Sequence, residues 1–230
     1  VQNHYLIFAT KDGLMKKTTL ESYSRPRTNG IIALGLREDD RLIRVTLTDG
    51  KSQMLVASYN GKVVRFPEDT VRPMGRTATG VRAIKLDEDG RDRVIGMICV
   101  EEGSKDSVLV ISEKGYGKRT LLDDENGEAI YRITNRGGKG VKTMNLSDKT
   151  GNLIGLEAVN DDMDLMLITK SGTAIRMAMN TINVLGRATQ GVKLIELQKR
   201  NDTLMFGCTV PKEEQEEVAE STEASAQDAT

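Results

Sequence analysis

The chain has 230 residues, 38% hydrophobic and 22 of them glycine, with a formal net charge of -1, the make-up of a globular protein with apolar content for a sizeable core. No apolar run approaches the ~18 residues of a membrane-spanning helix. One histidine and two distant cysteines give little support to a histidine triad, a metal site or a disulfide framework.

Cys99 and Cys208 each lie inside an apolar run and read as reduced core thiols of a cytoplasmic protein. The opening Val1-Gln2-Asn3-His4 has no initiator methionine and no charged-then-apolar leader, so the sequence reads as an excised fragment of a longer chain. The charge is unevenly spread. Glu213, Glu214, Glu216, Glu217, Glu220, Glu223 and Asp228 crowd the end without a cation, and setting those seven aside leaves 27 acids against 33 Lys and Arg. Residues 1–211 therefore read as a mildly basic body and 212–230 as an acidic disordered tail, either solubilising or competing with nucleic acid for the body's cations.

In chain order the body reads as short strands with no convincing amphipathic helix. The first unit gives Tyr5–Thr10, a turn at Gly13, Leu14–Leu20, a basic loop, Ile31–Leu36 and Leu42–Thr48. The second repeats this with Met54–Tyr59, Lys62–Phe66, Val81–Leu86 and Val94–Val100, its Asn60-Gly61 turn signalling a type I′ hairpin. The third gives Val108–Ser112, Tyr116–Leu122, Val141–Leu146 and Leu153–Val159; the fourth gives Leu165–Thr169, Thr173–Met179, Val192–Leu197 and Leu204–Val210. Hairpin glycines Gly13, Gly61, Gly115 and Gly172 recur at intervals of 48, 54 and 57 residues. A unit of that length holding four short strands has the size of a propeller blade. The expected blades are residues 4–53, 54–106, 107–164 and 165–211.

A second pattern recurs between the second and third strands of each unit. A basic residue and a short linker lead into a glycine and an apolar strand: Arg27 to Gly30, Arg76 to Gly80, Arg187 to Gly191, and, richest, Asn135-Arg136-Gly137-Gly138-Lys139-Gly140. There is no tryptophan and no Trp-Asp signature, which disfavours the WD-repeat class. Each hairpin instead continues from its glycine into a basic residue, as in Gly61-Lys62-Val63-Val64-Arg65-Phe66 and Gly115-Tyr116-Gly117-Lys118-Arg119-Thr120. With Thr79-Gly80-Val81-Arg82 and Gly186-Arg187-Ala188-Thr189-Gln190-Gly191-Val192, these segments make residues 5–210 closely resemble the family of C-terminal domains from the A subunit of bacterial DNA gyrase.

The resemblance implies an all-β fold, a β-pinwheel in which neighbouring blades exchange strands and a basic outer rim bends duplex DNA. About four of the family's usual six blades are expected here, the later ones plus the tail. The family's box of form Gln-Arg-Arg-Gly-Gly-Lys-Gly belongs to its first blade, so Arg136–Gly140 is read as the equivalent loop of a later blade. The alternative is the box itself in a rearranged relative. Also implied are a type IIA topoisomerase in bacterial cytoplasm, a heterotetramer with the gyrase B subunit, and ATP and Mg on other domains or subunits. No cofactor or metal is expected in this fragment, and no catalytic residue: the family's DNA-cleaving tyrosine lies outside it.

The expected DNA contacts are Lys16, Lys17, Arg25, Arg27, Lys62, Arg65, Arg72, Arg76, Lys118, Arg119, Arg132, Arg136, Lys139, Arg176, Arg187 and Lys193. Duplex DNA carries one charge per ~1.7 Å of axis, so regularly spaced cations bind it by counterion release without reading bases. Read alone, the same cations would guard strand edges; the resemblance turns the reading to DNA. Three phenylalanines and five tyrosines are too few for repeated stacking on single strands. The corresponding domain of topoisomerase IV and a propeller-type protein-interaction scaffold are the alternatives.

Overall fold

The computed structural model describes residues 2–197 and 202–212, and the expected tail disorder falls outside them. Four hairpins set the architecture: β1 (Tyr5–Thr10) with β2 (Leu14–Thr19), β4 (Gln53–Ser58) with β5 (Lys62–Pro67), β8 (Ser107–Ser112) with β9 (Tyr116–Leu121), and β12 (Met163–Thr169) with β13 (Ala174–Ala178). Their turns share one geometry. The N–H groups of Gly13, Gly61, Gly115 and Gly172 donate to the carbonyls of Thr10, Ser58, Ser112 and Thr169, three residues back, and all four glycines have φ between +81° and +88°. Asn60 does not have positive φ, so Ser58–Gly61 is a type I turn closed by a left-handed glycine instead of the expected type I′ turn.

A third strand joins each hairpin on the same side: β3 (Leu42–Thr48) on β1, β7 (Val94–Val100) on β4, β11 (Leu153–Val159) on β8 and β15 (Leu204–Pro211) on β12. β7 packs against both β3 and β11, and β11 against β15, so these edges follow one another side by side as at a propeller axis. Both faces of the second and third hairpins are buried between neighbours. Met54 and Val56 enter the seam with the first sheet, where Ile7, Ala9 and Met15 lie; Leu55 and Ala57 enter the seam with the third, beside Val108 and Val110. Leu109 and Ile111 then meet Leu165 and Leu167 of the fourth. Burial on both faces is why these strands are continuously apolar rather than alternating.

The fourth strand of a sheet comes from the next unit. β6 (Val81–Arg82) pairs with β2, β10 (Val141–Lys142) with β5, and β14 (Val192–Lys193) with β9. This is the strand exchange that the resemblance implied. The ladders are only two residues long, where strands through Leu86, Leu146 and Leu197 were expected. After two residues the chain hooks over the neighbouring hairpin: Ala83, Thr143 and Leu194 donate their N–H to the carbonyls of Gly13, Gly61 and Gly115. The apolar residues that made those runs look strand-like, Ile84 and Met144 among them, drop into the seams.

Two expectations fail at the ends of the series. Ile31–Leu36 forms no strand, since among the described residues no sheet lies before the first unit to receive it; Ile32 and Leu36 are exposed, as are Ile43, Val45 and Leu47 on β3. The last sheet has three strands, in the order β13-β12-β15, because no later unit among the described residues supplies a fourth.

Close approach explains which glycines matter. A Cβ on Gly80, Gly140 or Gly191, just before the exchanged strands, would lie 2.4, 2.4 or 2.7 Å from the backbone oxygen of Met15, Val63 or Gly117, and each has positive φ. Gly138 has neither constraint, its nearest neighbour being 3.6 Å away. Gly140→Ala is therefore expected to cost at least about 2 kcal/mol more stability than Gly138→Ala. Chemical denaturation of the two variants measures the difference, and equal midpoints would contradict the crossing.

Candidate nucleic-acid interface

The repeated cations divide into two groups. Lys17, Arg65, Arg119 and Arg176 stand at one position, four residues after the hairpin glycine, and each is spent on a carboxylate. Lys17 Nζ lies 2.9 Å from Glu68 Oε1 with both side chains buried, and 4.3 Å from the centre of the Tyr5 ring. Arg65 Nη1 donates to Asp123 at 2.8 Å and to the carbonyls of Leu122 and Tyr131. Arg119 donates from Nη1 to Asp161 at 2.5 Å and from Nε to the Ile182 carbonyl. Arg176 Nε donates to Asp164 at 2.8 Å. For Lys17 and Arg65 the carboxylate belongs to the following unit, and Arg119 reaches the following unit through the Ile182 carbonyl, so these charges are seam ties. An isolated parallel bridge recurs there as well, from Lys17, Arg65 and Arg119 to Pro73, Ile133 and Val184.

Lys16 and Lys118, one residue earlier, are completely buried. Lys16 Nζ donates to the carbonyls of Ala33 and Arg76 and lies 3.4 Å from the Tyr23 hydroxyl. Lys118 Nζ donates to the carbonyls of Gly186 and Arg187 and to Thr189 Oγ1 at 3.1 Å. Burial pushes both ammonium groups down to about 8, with the charge of Arg76 or Arg187 adding to the effect. Lys16, Lys17, Arg65, Lys118 and Arg119 thus lie beneath the rim on which they were expected. The sequence signal was misread because a cation repeated at fixed register looks the same whether it faces solvent or an acid in the next blade.

The loop arginines have a different task. Arg76, Arg136 and Arg187 are half-buried, and each donates from Nη1 to the carbonyl of the residue just after the preceding unit's Gly-Ile or Gly-Val step: Ile32 at 3.1 Å, Arg82 at 3.3 Å, and Lys142. A backbone bond runs beside each, from the N–H of Gly35, Lys85 and Asn145 to the carbonyl of Ala78, Gly138 and Thr189. Every loop is latched in this way to the one before it, forming a continuous edge.

Exposed in the loops and exchanged strands are Arg25, Arg27, Arg72, Arg132, Lys139 and Lys193 from the expected set. Lys62 is half-buried and pairs with Asp87 at 2.5 Å, a contact that with Asn60 holds the Asp87 carboxyl below its usual range. Lys193 pairs with Glu196 at 2.6 Å, which raises its ammonium above the ordinary lysine value. Sequence reasoning missed Arg82 and Lys142. Both are exposed second residues of exchanged strands, equivalent to Lys193, and the Gly-Val-basic spelling of all three was the available signal. Arg72 and Arg132 recur likewise, one residue before the parallel bridge. The acidic turns lie on other connections and cap backbone: Asp40 accepts from the N–H of Asp12 and Arg41, and Asn60 with the N–H groups of Arg91 and Asp92 holds the Asp89 carboxyl at about 2.

The sequence of residues 4–49, 53–101, 106–160 and 164–206 matches the family described as DNA gyrase C-terminal domain, beta-propeller. The chain is 45% identical over 196 residues to the DNA gyrase A subunit of Staphylococcus aureus (strain MRSA252), an alignment covering 85% of this chain and 21% of that protein. It thus spans about a fifth of the length of the curated relatives it matches. In fold it is similar to the C-terminal domain of DNA topoisomerase IV, with a TM-score of 0.81 at 23% identity over 91% of this chain and 62% of that one. The DNA gyrase A C-terminal domain gives a TM-score of 0.76 at 24% identity over 91% and 66%. With four matched segments that coincide with its four hairpin units, the chain belongs to the DNA gyrase C-terminal domain beta-propeller family.

Proposed function

We propose that this chain is a non-catalytic module that wraps duplex DNA for the gyrase A subunit. Its exposed cations hold the phosphate backbone, and the bend directs negative supercoiling by the whole enzyme. The observation that carries this reading is the recurrence of Arg72 with Arg132, and of Arg82 with Lys142 and Lys193, on successive loops latched into one edge. A track of that kind meets phosphates at regular intervals and needs no base contact. Gly137, Gly138 and Gly140 beside Lys139 allow close approach of backbone to phosphate.

On this reading the partners are double-stranded DNA, the remainder of the gyrase A subunit, and the gyrase B subunit in a heterotetramer. ATP and Mg act on those other parts, in the bacterial cytoplasm. No helix among the described residues is long and apolar enough to cross a membrane. The likeness in fold is as great to topoisomerase IV as to gyrase, whereas the 45% identical relative is a gyrase A subunit, and that identity favours gyrase.

Affinity for duplex DNA is expected to fall steeply with salt, the logarithmic slope being about 0.9 per phosphate neutralised. The double change Arg82→Ala with Lys142→Ala should lower that slope by about 2 and weaken binding about equally across sequences. A slope unchanged by the pair would remove them from the track.

Wrapping, as distinct from holding, is read by closing nicked circular DNA on the intact polypeptide that carries these blades. The expected outcome is a shifted linking number. Tight binding with unchanged topology would leave a DNA-holding surface of the kind expected from a weakly wrapping topoisomerase IV domain.

A further inference from the structure

Nothing in the blade itself calls for a cation where Lys16 and Lys118 stand. The same position is Val64 in the second hairpin and Ile175 in the fourth, so the strands accept an aliphatic side chain there. Both lysines are fully buried, and no carboxylate pairs with either among the described residues. What they have in common is a loop from the following unit laid over the ammonium. For Lys16 the loop is residues 75–80, and for Lys118 it is residues 186–191.

The surroundings of each ammonium are specific. Lys16 meets the Phe8 ring at 4.7 Å from β1, the Tyr23 hydroxyl from the turn after β2, the Ala33 carbonyl, and the carbonyl and positive charge of Arg76. Lys118 meets the Gly186 and Arg187 carbonyls, the Thr189 hydroxyl and the positive charge of Arg187. These contacts draw the negative ends of the loop's peptide dipoles inward, away from an approaching anion. No carboxylate among the described residues compensates the charge.

We propose that Lys16 and Lys118 are positioning residues for the duplex interface: as ammonium ions they hold the loops over the first and third blades in their phosphate-facing form, and bound duplex keeps them protonated. The proposal rests on the DNA-binding reading above. A phosphate over the loop supplies the missing negative charge and favours the ammonium form. Loss of the proton weakens the hold, because charge-assisted hydrogen bonds are about twice as strong as neutral ones. The loop of residues 135–140 covers Val64 and is fixed by a main-chain bond that the other two loops lack, from Gly137 N–H to the Ala83 carbonyl. It carries no such dependence.

The sign follows from where the groups titrate. With both lysines at about 8 in the free protein, binding takes up protons above that pH, and affinity falls as pH rises. By about pH 9 the loss reaches up to about tenfold per lysine relative to about pH 7. A wholly structural pair of lysines gives no proton uptake on binding.

The test is duplex affinity of the full-length polypeptide at constant salt from about pH 7 to about pH 9.5, for the parent and for Lys16→Val with Lys118→Ile. These replacements copy the second and fourth hairpins. The parent is expected to lose affinity across this range and the double variant to bind more weakly at about pH 7 with a flatter profile, its circular dichroism unchanged. Calorimetry of the parent in two buffers of different ionisation enthalpy should show proton uptake, a readout that stands even where the variant does not fold. A parent with neither pH dependence nor proton uptake would overturn the proposal, as would a folded variant that keeps the parent's slope. Absence of duplex binding by the parent at about pH 7 would remove the underlying reading and the proposal with it.

Discussion

The fold depends on a crossing in which two residues of one unit complete the sheet of the unit before it. Two residues give few hydrogen bonds, each worth about 1 kcal/mol net, so the ladder by itself is a weak tie. Its strength comes from the residues just beyond the ladder. The chain hooks over the hairpin glycine and buries Ile84 or Met144 in the seam, and burying an aliphatic side chain of that size is worth about 1.5–3 kcal/mol. The ladder sets register, the apolar anchor adds an energy at least comparable to it, and glycine makes the approach sterically possible. Gly172 marks the contrast: no segment among the described residues crosses it, and a Cβ there would meet nothing within 4 Å.

Much of this was legible because hairpins are local. Two apolar runs and a turn glycine determine a neighbour pair, and all four pairs were readable from Gly13, Gly61, Gly115 and Gly172. The exchanged strands were not legible at full accuracy. Val81–Leu86 is apolar for two different reasons, its first residues pairing with β2 and its later ones filling a seam. Periodicity cannot separate ladder from anchor. Ile31–Leu36 has the same spelling and forms no strand, since its pairing requires a sheet that precedes it, a non-local condition invisible in the segment.

The charged residues show the same division between local spelling and distant context. Lys16 and Lys17 are adjacent, yet the first serves a loop and the second neutralises Glu68 in the next unit. Leaving either partner of the Lys17–Glu68 pair alone in the seam would strand a buried charge, which is why the cation persists at that position. A count of basic residues per unit therefore overstates the charge offered to solvent. The exposed remainder includes Arg82, Lys142 and Lys193, which stand at the same position of successive exchanged strands.

The couplings that hold these loops and strands all join consecutive units. Strand, hooked backbone, guanidinium latch and loop carbonyl each link a unit to the one before it. Stability and surface geometry are then properties of neighbouring pairs of units, as in other repeat architectures. A single unit contains Arg82 or Lys142 but not the β2 or β5 edge that holds it at the rim. The spacing between cations on adjacent blades is consequently set by the seam rather than by the loop sequence. That is the physical reason loops as different as Arg76-Thr77-Ala78-Thr79-Gly80 and Arg136-Gly137-Gly138-Lys139-Gly140 carry the same latch to the unit before them.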